Sequence, residues 1–422
     1  TYHLLLALFA NYYYGQPSKK MIVIGVTGTN GKTTVVNLIS WILHHSGKKT
    51  ASTSTAQFFI NGKKWLNDLK MTMPGRLYLQ KFLAQAVASG CDYVVIETSS
   101  EGIAQNRHKG INYDVAVFTN LTPEHIEAHG SFENYRNAKL ELWKILSKNK
   151  TKTIADKIVN KFSVINADSS QAPYFLQTKN IRHYTYAIET PADYSADIGL
   201  INNDSINFVL HDKTNDQNIT VESNLPGKVN VYNQLAAISC CHQLGISLYD
   251  CAEALKKYPG TPGRYEFIHC NQPFDVMVDY AHEPEALTKL YETIYPYTYN
   301  KIIHVLGSCG GGRDQARRPI LGKIAGDNAN IVIITNEDPY DEDPKQIMNQ
   351  VLAGTKETKI NPENIFLIEE RKQAIKKAME LAGENDLVLI TGKGAEQWLC
   401  IANGEKIPWD DRAVVKELLE KN

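Results

Sequence analysis

The chain has 422 residues, with 45 lysines and arginines against 46 aspartates and glutamates, for a net charge of −1. That length asks for two or three domains, and the balanced charge gives no electrostatic case for nucleic acid as the main partner. Hydrophobic content of 43% is that of a soluble globular protein. Seven scattered cysteines without a Cys-x-x-Cys pair point to reduced thiols and a cytoplasmic location.

Residues 2–14 open the chain with an apolar, aromatic run from Tyr2 to Tyr14. It is too short to span a bilayer and lacks the basic start of a signal peptide. Two readings stand: a helix packed on the body of the protein, or a helix facing a membrane or a lipid-linked substrate. Met21-Ile22-Val23-Ile24 then reads as a buried strand, and Val35 to Leu43 carries apolar residues at helical spacing. Between them runs Gly25-Val26-Thr27-Gly28-Thr29-Asn30-Gly31-Lys32-Thr33-Thr34. Strand, glycine-rich turn and helix N-terminus make a phosphate cradle: backbone N–H groups turn toward an anion and the helix dipole favours negative charge. Lys32 would reach the terminal phosphates and the Thr33 hydroxyl would ligate Mg²⁺. Five residues separate Gly25 from Gly31, where a strict phosphate-loop motif has four.

From 21 to about 150, strand-like runs (Cys91–Ile96, Tyr113–Phe118) alternate with helical patterns, which argues a mostly parallel sheet covered by helices. Ligands of such sheets sit beyond the carboxyl ends of the strands. Glu97 ends one strand, with Thr98-Ser99-Ser100 after it; His125 lies just past another, with His129 at i+4; Lys139 is on the next helix. Taken singly these are a solvated carboxylate, a histidine pair and a surface lysine. His-Ile-Glu-Ala-His lacks the zinc-protease order His-Glu-x-x-His.

Residues 151–225 turn to short strands punctuated by Asn, Asp, Ser and Thr, a small side sheet on the same domain. A helix follows from about Val229 to Leu244, and Pro259-Gly260-Thr261-Pro262-Gly263 is the clearest linker. Beyond it, strands at Phe274–Val278, Ile302–Leu306, Ile331–Ile334, Ile365–Ile368 and Leu387–Ile390 alternate with helices, the last from Arg412. The fold class is therefore α/β. The expected organisation is an apolar segment 1–20, a central ATP-binding domain 21–262 with its side sheet, and a Rossmann-like domain 263–422.

The phosphate-loop sequence, Glu-Thr-Ser-Ser at 97–100, Phe-Thr-Asn-Leu-Thr-Pro-Glu-His-Ile-Glu-Ala-His-Gly at 118–130, Tyr135-Arg136-Asn137-Ala138-Lys139 and Asn230-Val231-Tyr232-Asn233 closely resemble the Mur ligase family. So do Val278-Asp279-Tyr280-Ala281-His282, Gly310-Gly311-Gly312-Arg313-Asp314 with Arg318-Pro319, and Gly392-Lys393-Gly394-Ala395-Glu396. The set is most similar to the MurE type, which adds the third amino acid to the peptidoglycan stem peptide, and the resemblance runs from about residue 21 to the end.

The resemblance implies that ATP phosphorylates a substrate carboxylate to an acyl phosphate, which an amino acid's amine then attacks. Gly28, Thr29, Asn30, Gly31, Lys32, Thr33 and Thr34 would hold the phosphates. Thr33 and Glu97 would hold one Mg²⁺, and His125 with a carbamylated Lys139 would help hold a second. Metal ions cancel the repulsion between a carboxylate and a polyphosphate. Asn233 and Asp279 match contacts to adenine and ribose, with His282 near the nucleotide and Arg264 and Arg318 near the domain junction. Thr72, Ser99 and Arg107 match acceptor-peptide positions. Arg313 matches the residue for the incoming amino acid's α-carboxylate, and Gly392 lies in the same glycine-rich motif as Glu396. The implied partners are a peptide or muramyl-peptide acceptor and a free amino acid, and the expected state is a monomer.

The pattern is not followed throughout. MurE-type ligases carry roughly a hundred residues ahead of the phosphate loop to hold the UDP part of the substrate, whereas this loop begins at Gly25. Either the sequence is truncated, or the acceptor is not recognised through UDP and residues 2–14 meet a lipid-linked or nucleotide-free muramyl peptide. Diaminopimelate-adding members have Asp-Asn-Pro-Arg where this chain has Glu337-Asp338-Pro339-Tyr340. Without that arginine, and with Glu337 and Glu396 present, the expected substrate is a basic diamino acid such as L-lysine or ornithine. Ala395 and Glu101 also replace usual histidines. The alternatives are a folylpolyglutamate- or cyanophycin-type ligase, and a nucleotide-binding scaffold or partner subunit without ligase activity.

Overall fold

The computed structural model describes residues 2–122, 129–201, 205–312 and 314–420. His125 and Arg313 lie outside the described residues. The chain divides into two compact units, residues 1–259 and 260–422.

The first unit is built on an eleven-stranded sheet. The Ile22–Thr27 strand lies between Tyr93–Glu97 and Val115–Phe118, parallel to both. Pairing sets Val26 opposite Glu97 and Thr27 opposite Phe118, so three strands stop side by side. These strands are buried on both faces, which is why they read as continuous apolar runs rather than alternating ones. On one face Val35, Leu38, Ile39 and Ile42 of the Lys32–His45 helix pack with Val231 and Leu235 of the Lys228–Gln243 helix. On the other, Leu142 and Trp143 of the Phe132–Lys148 helix pack with Leu79 and Phe82.

Most of the expected side strands extend this sheet. Phe162–Asn166, Arg182–Ala187 and Tyr194–Ile201 continue its parallel core, and Ile206–Asp212 and Gln217–Ser223 close the edge antiparallel. Only Thr153–Ile154 and Lys157–Ile158 form a separate two-stranded sheet.

The opening segment is a helix, Tyr2–Tyr13, with Ala7 and Ala10 buried. Its large residues point outward: Tyr2, Leu5, Phe9 and Tyr12 are 59–78% exposed. Among the described residues, no helix is long and apolar enough to cross a membrane. The chain after this helix is fixed by a buried ammonium. Lys152 Nζ donates to the carbonyls of Ser18 (2.6 Å), Met21 (3.0 Å) and Asn112 (2.6 Å) and to the carboxylate of Asp114. Asp114 also accepts the Val23 amide at 2.8 Å. Burial raises the Asp114 carboxyl and lowers the Lys152 ammonium, and each partner works against that shift in the other.

The second unit carries a six-stranded sheet in the order Glu266–Phe267, Asp275–Val278, Leu387–Ile390, Ile302–Leu306, Ile331–Ile334, Ile365–Leu367. All neighbours are parallel except the first pair. The loops at its carboxyl edge hold Asp279, Cys309, Glu337, Asp338 and Lys393.

Lys152→Met leaves a buried carboxylate and three carbonyls without their donor. It should destabilise the first unit by about 3–5 kcal/mol, read as a lowered urea midpoint with an unchanged slope.

Candidate active site

The phosphate loop bridges the Ile22–Thr27 strand and the Lys32–His45 helix. Gly31 takes the helix N-cap with φ 82°, and a Cβ there would lie 2.4 Å from Asn233 Oδ1. Both the left-handed backbone and the close approach demand glycine. Asn233, which the sequence reading gave to the nucleotide, therefore abuts the loop. The loop is tied to the next strand end: the amides of Thr29 and Asn30 donate to Asn120 O and Oδ1, both at 2.9 Å, and Thr119 Oγ1 donates to Asn30 O at 2.6 Å. Lys32 Nζ donates back to Thr29 O.

Glu97 is buried at the end of its strand and accepts from three donors. The Thr33 hydroxyl lies 3.0 Å from both carboxylate oxygens; the Thr55 amide donates at 2.7 Å and the Thr55 hydroxyl at 3.1 Å. Thr55 Oγ1 also lies 3.0 Å from Thr72 Oγ1, whose hydroxyl can donate to it, which places Thr72 beside the same carboxylate. The expected Mg²⁺ ligands Thr33 and Glu97 are thus already in contact, and both offer the hard oxygen donors that ion takes.

Lys139 is buried rather than a surface lysine. Its Nζ donates to Gly28 O at 2.7 Å and lies 4.4 Å over the Tyr135 ring. The Tyr135 hydroxyl is 3.2 Å from Thr29 Oγ1. One helix face, at i and i+4, so reaches the loop twice. His129 Nε2 is 3.1 Å from Ser100 Oγ, and burial, then Lys139, lowers its pKa. Ser99 caps the short Ser100–Ala104 helix by accepting the Gly102 amide at 3.1 Å. Arg107 reaches the Thr72–Pro74 turn through Met73 O and is braced by Gln105 Oε1 at 2.6 Å. Thr55 escaped the sequence reading, and Tyr135 and Asn120 were quoted there within motifs but given no role. For Tyr135 the signal was present, four residues ahead of Lys139. Thr55, a turn residue far from any motif, gave none.

The remaining assigned residues lie in the second unit. Asp279 accepts the amides of Tyr265 at 2.8 Å and Ala281 at 2.7 Å; burial raises its pKa, and Arg264 opposes that. The Arg264 guanidinium lies 4.1 Å over the Tyr280 ring, and His282 Nδ1 is 2.8 Å from Tyr280 O. Arg318 donates to Cys309 O at 3.0 Å and pairs with Glu342 at 2.8 Å.

Glu337, Asp338, Gly392 and Glu396 converge. Lys393 Nζ donates to Asp338 Oδ2 at 2.8 Å, Glu396 Oε2 at 2.6 Å and Trp398 O at 2.8 Å. Burial alone would lower that ammonium, yet Glu396 and Asp338 outweigh it and raise it well above the ordinary value. Glu337 accepts the Cys309 thiol at 2.9 Å through Oε1; burial raises its pKa, with Arg371 pulling the other way. Its Oε2 has no hydrogen-bond partner among the described residues. Gly392, at φ 106°, would place a Cβ 2.1 Å from that oxygen. Lys393 was quoted within a motif but given no role in the sequence reading, although the glycines around it marked an unusual turn. Among the described residues, no three His, Cys, Asp or Glu side chains group as a metal site.

A phosphate loop at the end of a parallel sheet, with a hydroxyl–carboxylate pair behind it, defines the class of phosphate-loop nucleotide-dependent enzymes. The comparisons narrow it. Residues 26–241 match the Mur ligase middle domain, and residues 263–394 match the Mur ligase, glutamate ligase domain. A UDP-N-acetylmuramoyl-L-alanyl-D-glutamate--2,6-diaminopimelate ligase of Clostridium botulinum (strain ATCC 19397 / Type A) is 38% identical over 99% of this chain and 81% of its own. A UDP-N-acetylmuramyl-tripeptide synthetase of Roseiflexus sp. (strain RS-1) is 36% identical over 98% and 81%. A solved UDP-N-acetylmuramoyl-L-alanyl-D-glutamate--2,6-diaminopimelate ligase superposes with a TM-score of 0.64 at 31% identity, covering 95% of this chain and 78% of its own. Mycobacterium tuberculosis folylpolyglutamate synthase with ADP, at 17% identity and a TM-score of 0.71, shares the fold alone. The chain belongs to the Mur ligase family. It is an ATP-dependent, ADP-forming ligase, and the family works with Mg²⁺.

Gly31→Ala should weaken ADP binding at least about tenfold by calorimetry, because the new methyl displaces Asn233 and strains the helix start. The effect of Thr55→Ala on ADP affinity should fall mainly in the presence of Mg²⁺, since Thr55 touches Glu97 and not the loop.

Proposed function

We propose that this ligase joins an amino acid to the carboxylate of a muramyl-peptide acceptor, in the cytoplasm, as a step of peptidoglycan precursor synthesis. The observation that carries the reading is the meeting of the phosphate loop, Thr33, Glu97, Thr72 and Lys139 at one sheet edge. An acceptor carboxylate oxygen attacks the γ-phosphorus and ADP leaves. The amino acid's nitrogen then attacks the acyl carbon, phosphate leaves, and the nitrogen gives up a proton.

Each residue's part follows from its chemistry. Amides of Gly28–Thr34 and the Lys32 ammonium hold the phosphates, while Asn233, Arg264, Asp279 and His282 serve the nucleoside. Mg²⁺, when bound, offsets the repulsion between carboxylate and polyphosphate. Thr33 and Glu97 hold one ion, and His125 with a carbamylated Lys139 holds a second. The Lys139 ammonium first gives up one proton; the free amine then adds to the carbon of carbon dioxide and loses a second, so that a positive charge becomes a negative one. Thr72, Ser99 and Arg107 bind the acceptor peptide, and Arg313 takes the α-carboxylate of the incoming amino acid.

Glu337, Asp338, Gly392 and Glu396 receive its side chain. The acidic residues suit a distal ammonium, and Tyr340 stands where diaminopimelate-adding members have arginine, so the substrate is a basic diamino acid such as L-lysine. The Clostridium botulinum relative is named a ligase of diaminopimelate, itself a diamino acid. The protein acts as a monomer, and the exposed face of residues 2–14 meets a membrane or lipid-linked acceptor.

The test is ADP release with a panel of amino acids against UDP-linked and UDP-free muramyl dipeptides. Lysine or ornithine should stimulate release most. A preference for diaminopimelate overturns the side-chain reading, exclusive use of UDP-linked acceptor overturns the lipid-linked one, and no stimulation by any pair overturns the whole. Lys32→Ala should lower turnover by about 10³-fold. Lys139→Ala should lower it about 100-fold, with partial return on adding short carboxylates; full activity in that variant would remove the carbamate.

A further inference from the structure

Lys393 has no place in the reaction as described, yet it is one of the most constrained side chains in the second unit. It is fully buried, and its ammonium meets three acceptors from different parts of the carboxyl edge. Asp338 follows the Ile331–Ile334 strand, Glu396 follows the Leu387–Ile390 strand, and Trp398 opens the Trp398–Cys400 strand. Asp338 is held from its other oxygen by the Cys400 amide at 2.7 Å, and Glu396 by the Tyr280 hydroxyl at 3.3 Å. The Tyr280 ring in turn carries the Arg264 guanidinium. A chain of contacts therefore runs from Arg264 through Tyr280, Glu396 and Lys393 to Asp338.

Two carboxylates on neighbouring loops repel each other, and burial sharpens the repulsion. An ammonium between them removes it and, with three donors, fixes both orientations at once. Gly392 and Gly394 on either side have φ of 106° and 55°, which turns the backbone so that the lysine side chain enters the cluster. One ammonium position at this edge is thus filled by a group of the protein itself, while Glu337 Oε2 keeps acceptor capacity beside it.

We propose that Lys393 is a positioning residue for the amino-acid substrate: its ammonium ties Asp338 and Glu396 into one rigid pair, and the substrate side chain is read against that fixed, still net-negative pair rather than against loose acids. This rests on the reading that Asp338 and Glu396 receive the amino acid. Selectivity then comes from the fixed positions of the two carboxylates and from Glu337 behind Gly392, not from the bare sum of negative charge.

The test is steady-state kinetics of the full chain with L-lysine and the acceptor found above, alongside thermal melting. Lys393→Met should raise KM for the amino acid about tenfold or more and leave KM for ATP within about twofold. Lys393→Arg, which restores the charge, should recover part of that rise, and ethylammonium ion should partly rescue Lys393→Ala. Lys393→Gln replaces Lys393→Met if the latter does not fold. A folded Lys393→Met with wild-type amino-acid KM overturns the proposal, as does equal impairment of Lys393→Met and Lys393→Arg without amine rescue. Asp338→Asn and Glu396→Gln separate the two layers. If both leave the amino-acid KM unchanged, the substrate assignment fails; if they raise it while Lys393→Met does not, only the positioning role fails.

Discussion

The first unit depends on the cost of burying Glu97. A carboxylate taken out of water must be matched by donors, or it will not stay there charged. Thr33 supplies one from the phosphate-loop helix, and Thr55 supplies two from the turn after the Thr50–Thr53 strand. Two separate pieces of chain are thereby locked to one strand end, and Thr72 is drawn in through Thr55. The donors are hydroxyls and an amide, with no basic side chain among them. The arrangement of the phosphate-loop helix and the Thr55 turn around this strand end is therefore a consequence of satisfying a single buried group.

The second unit solves the related problem in the opposite way. There the acids at the carboxyl edge are matched by full positive charges: Lys393 for Asp338 and Glu396, Arg318 for Glu342, and Arg371 for Asp411 at 2.7 Å. The two pairs buried on both sides, Lys393 with Asp338 and Arg371 with Asp411, add little net stability over apolar packing but specify geometry, since breaking one strands the other charge. Both units place chemistry at the same topological address, the carboxyl ends of parallel strands, where successive loops converge without disturbing the sheet.

Much of this was legible in the sequence for a physical reason. Strands buried on both faces must be apolar throughout, so Val94–Ile96, Ile331–Ile334 and Leu387–Ile390 declare themselves. A phosphate loop must have glycine where its backbone turns, so the cradle declares itself too. Contacts between distant segments were not legible. Nothing around Thr55 announces a partner forty-two residues on, and nothing in the strands from Phe162 to Ser223 says that they lengthen the main sheet, because parallel pairing leaves no local mark. The burial of Lys139 was hidden by its surroundings, as a charged residue on an amphipathic helix is ordinarily solvated. The orientation of the Tyr2–Tyr13 helix was hidden as well: a helix apolar on nearly all sides carries no phase, and small Ala7 and Ala10, not the aromatic rings, turned out to face the protein.

The Lys152 latch has a mechanical meaning. The chain leaves the opening helix, passes Ser18 and Met21, and enters the strand that carries the phosphate loop; both carbonyls are pinned to one ammonium, which is itself anchored to Asp114. A pull on the opening helix would be absorbed at that latch before it reached Ile22. The start of the phosphate-loop strand is thus anchored by Lys152 and Asp114 in its own right, not through the opening helix alone.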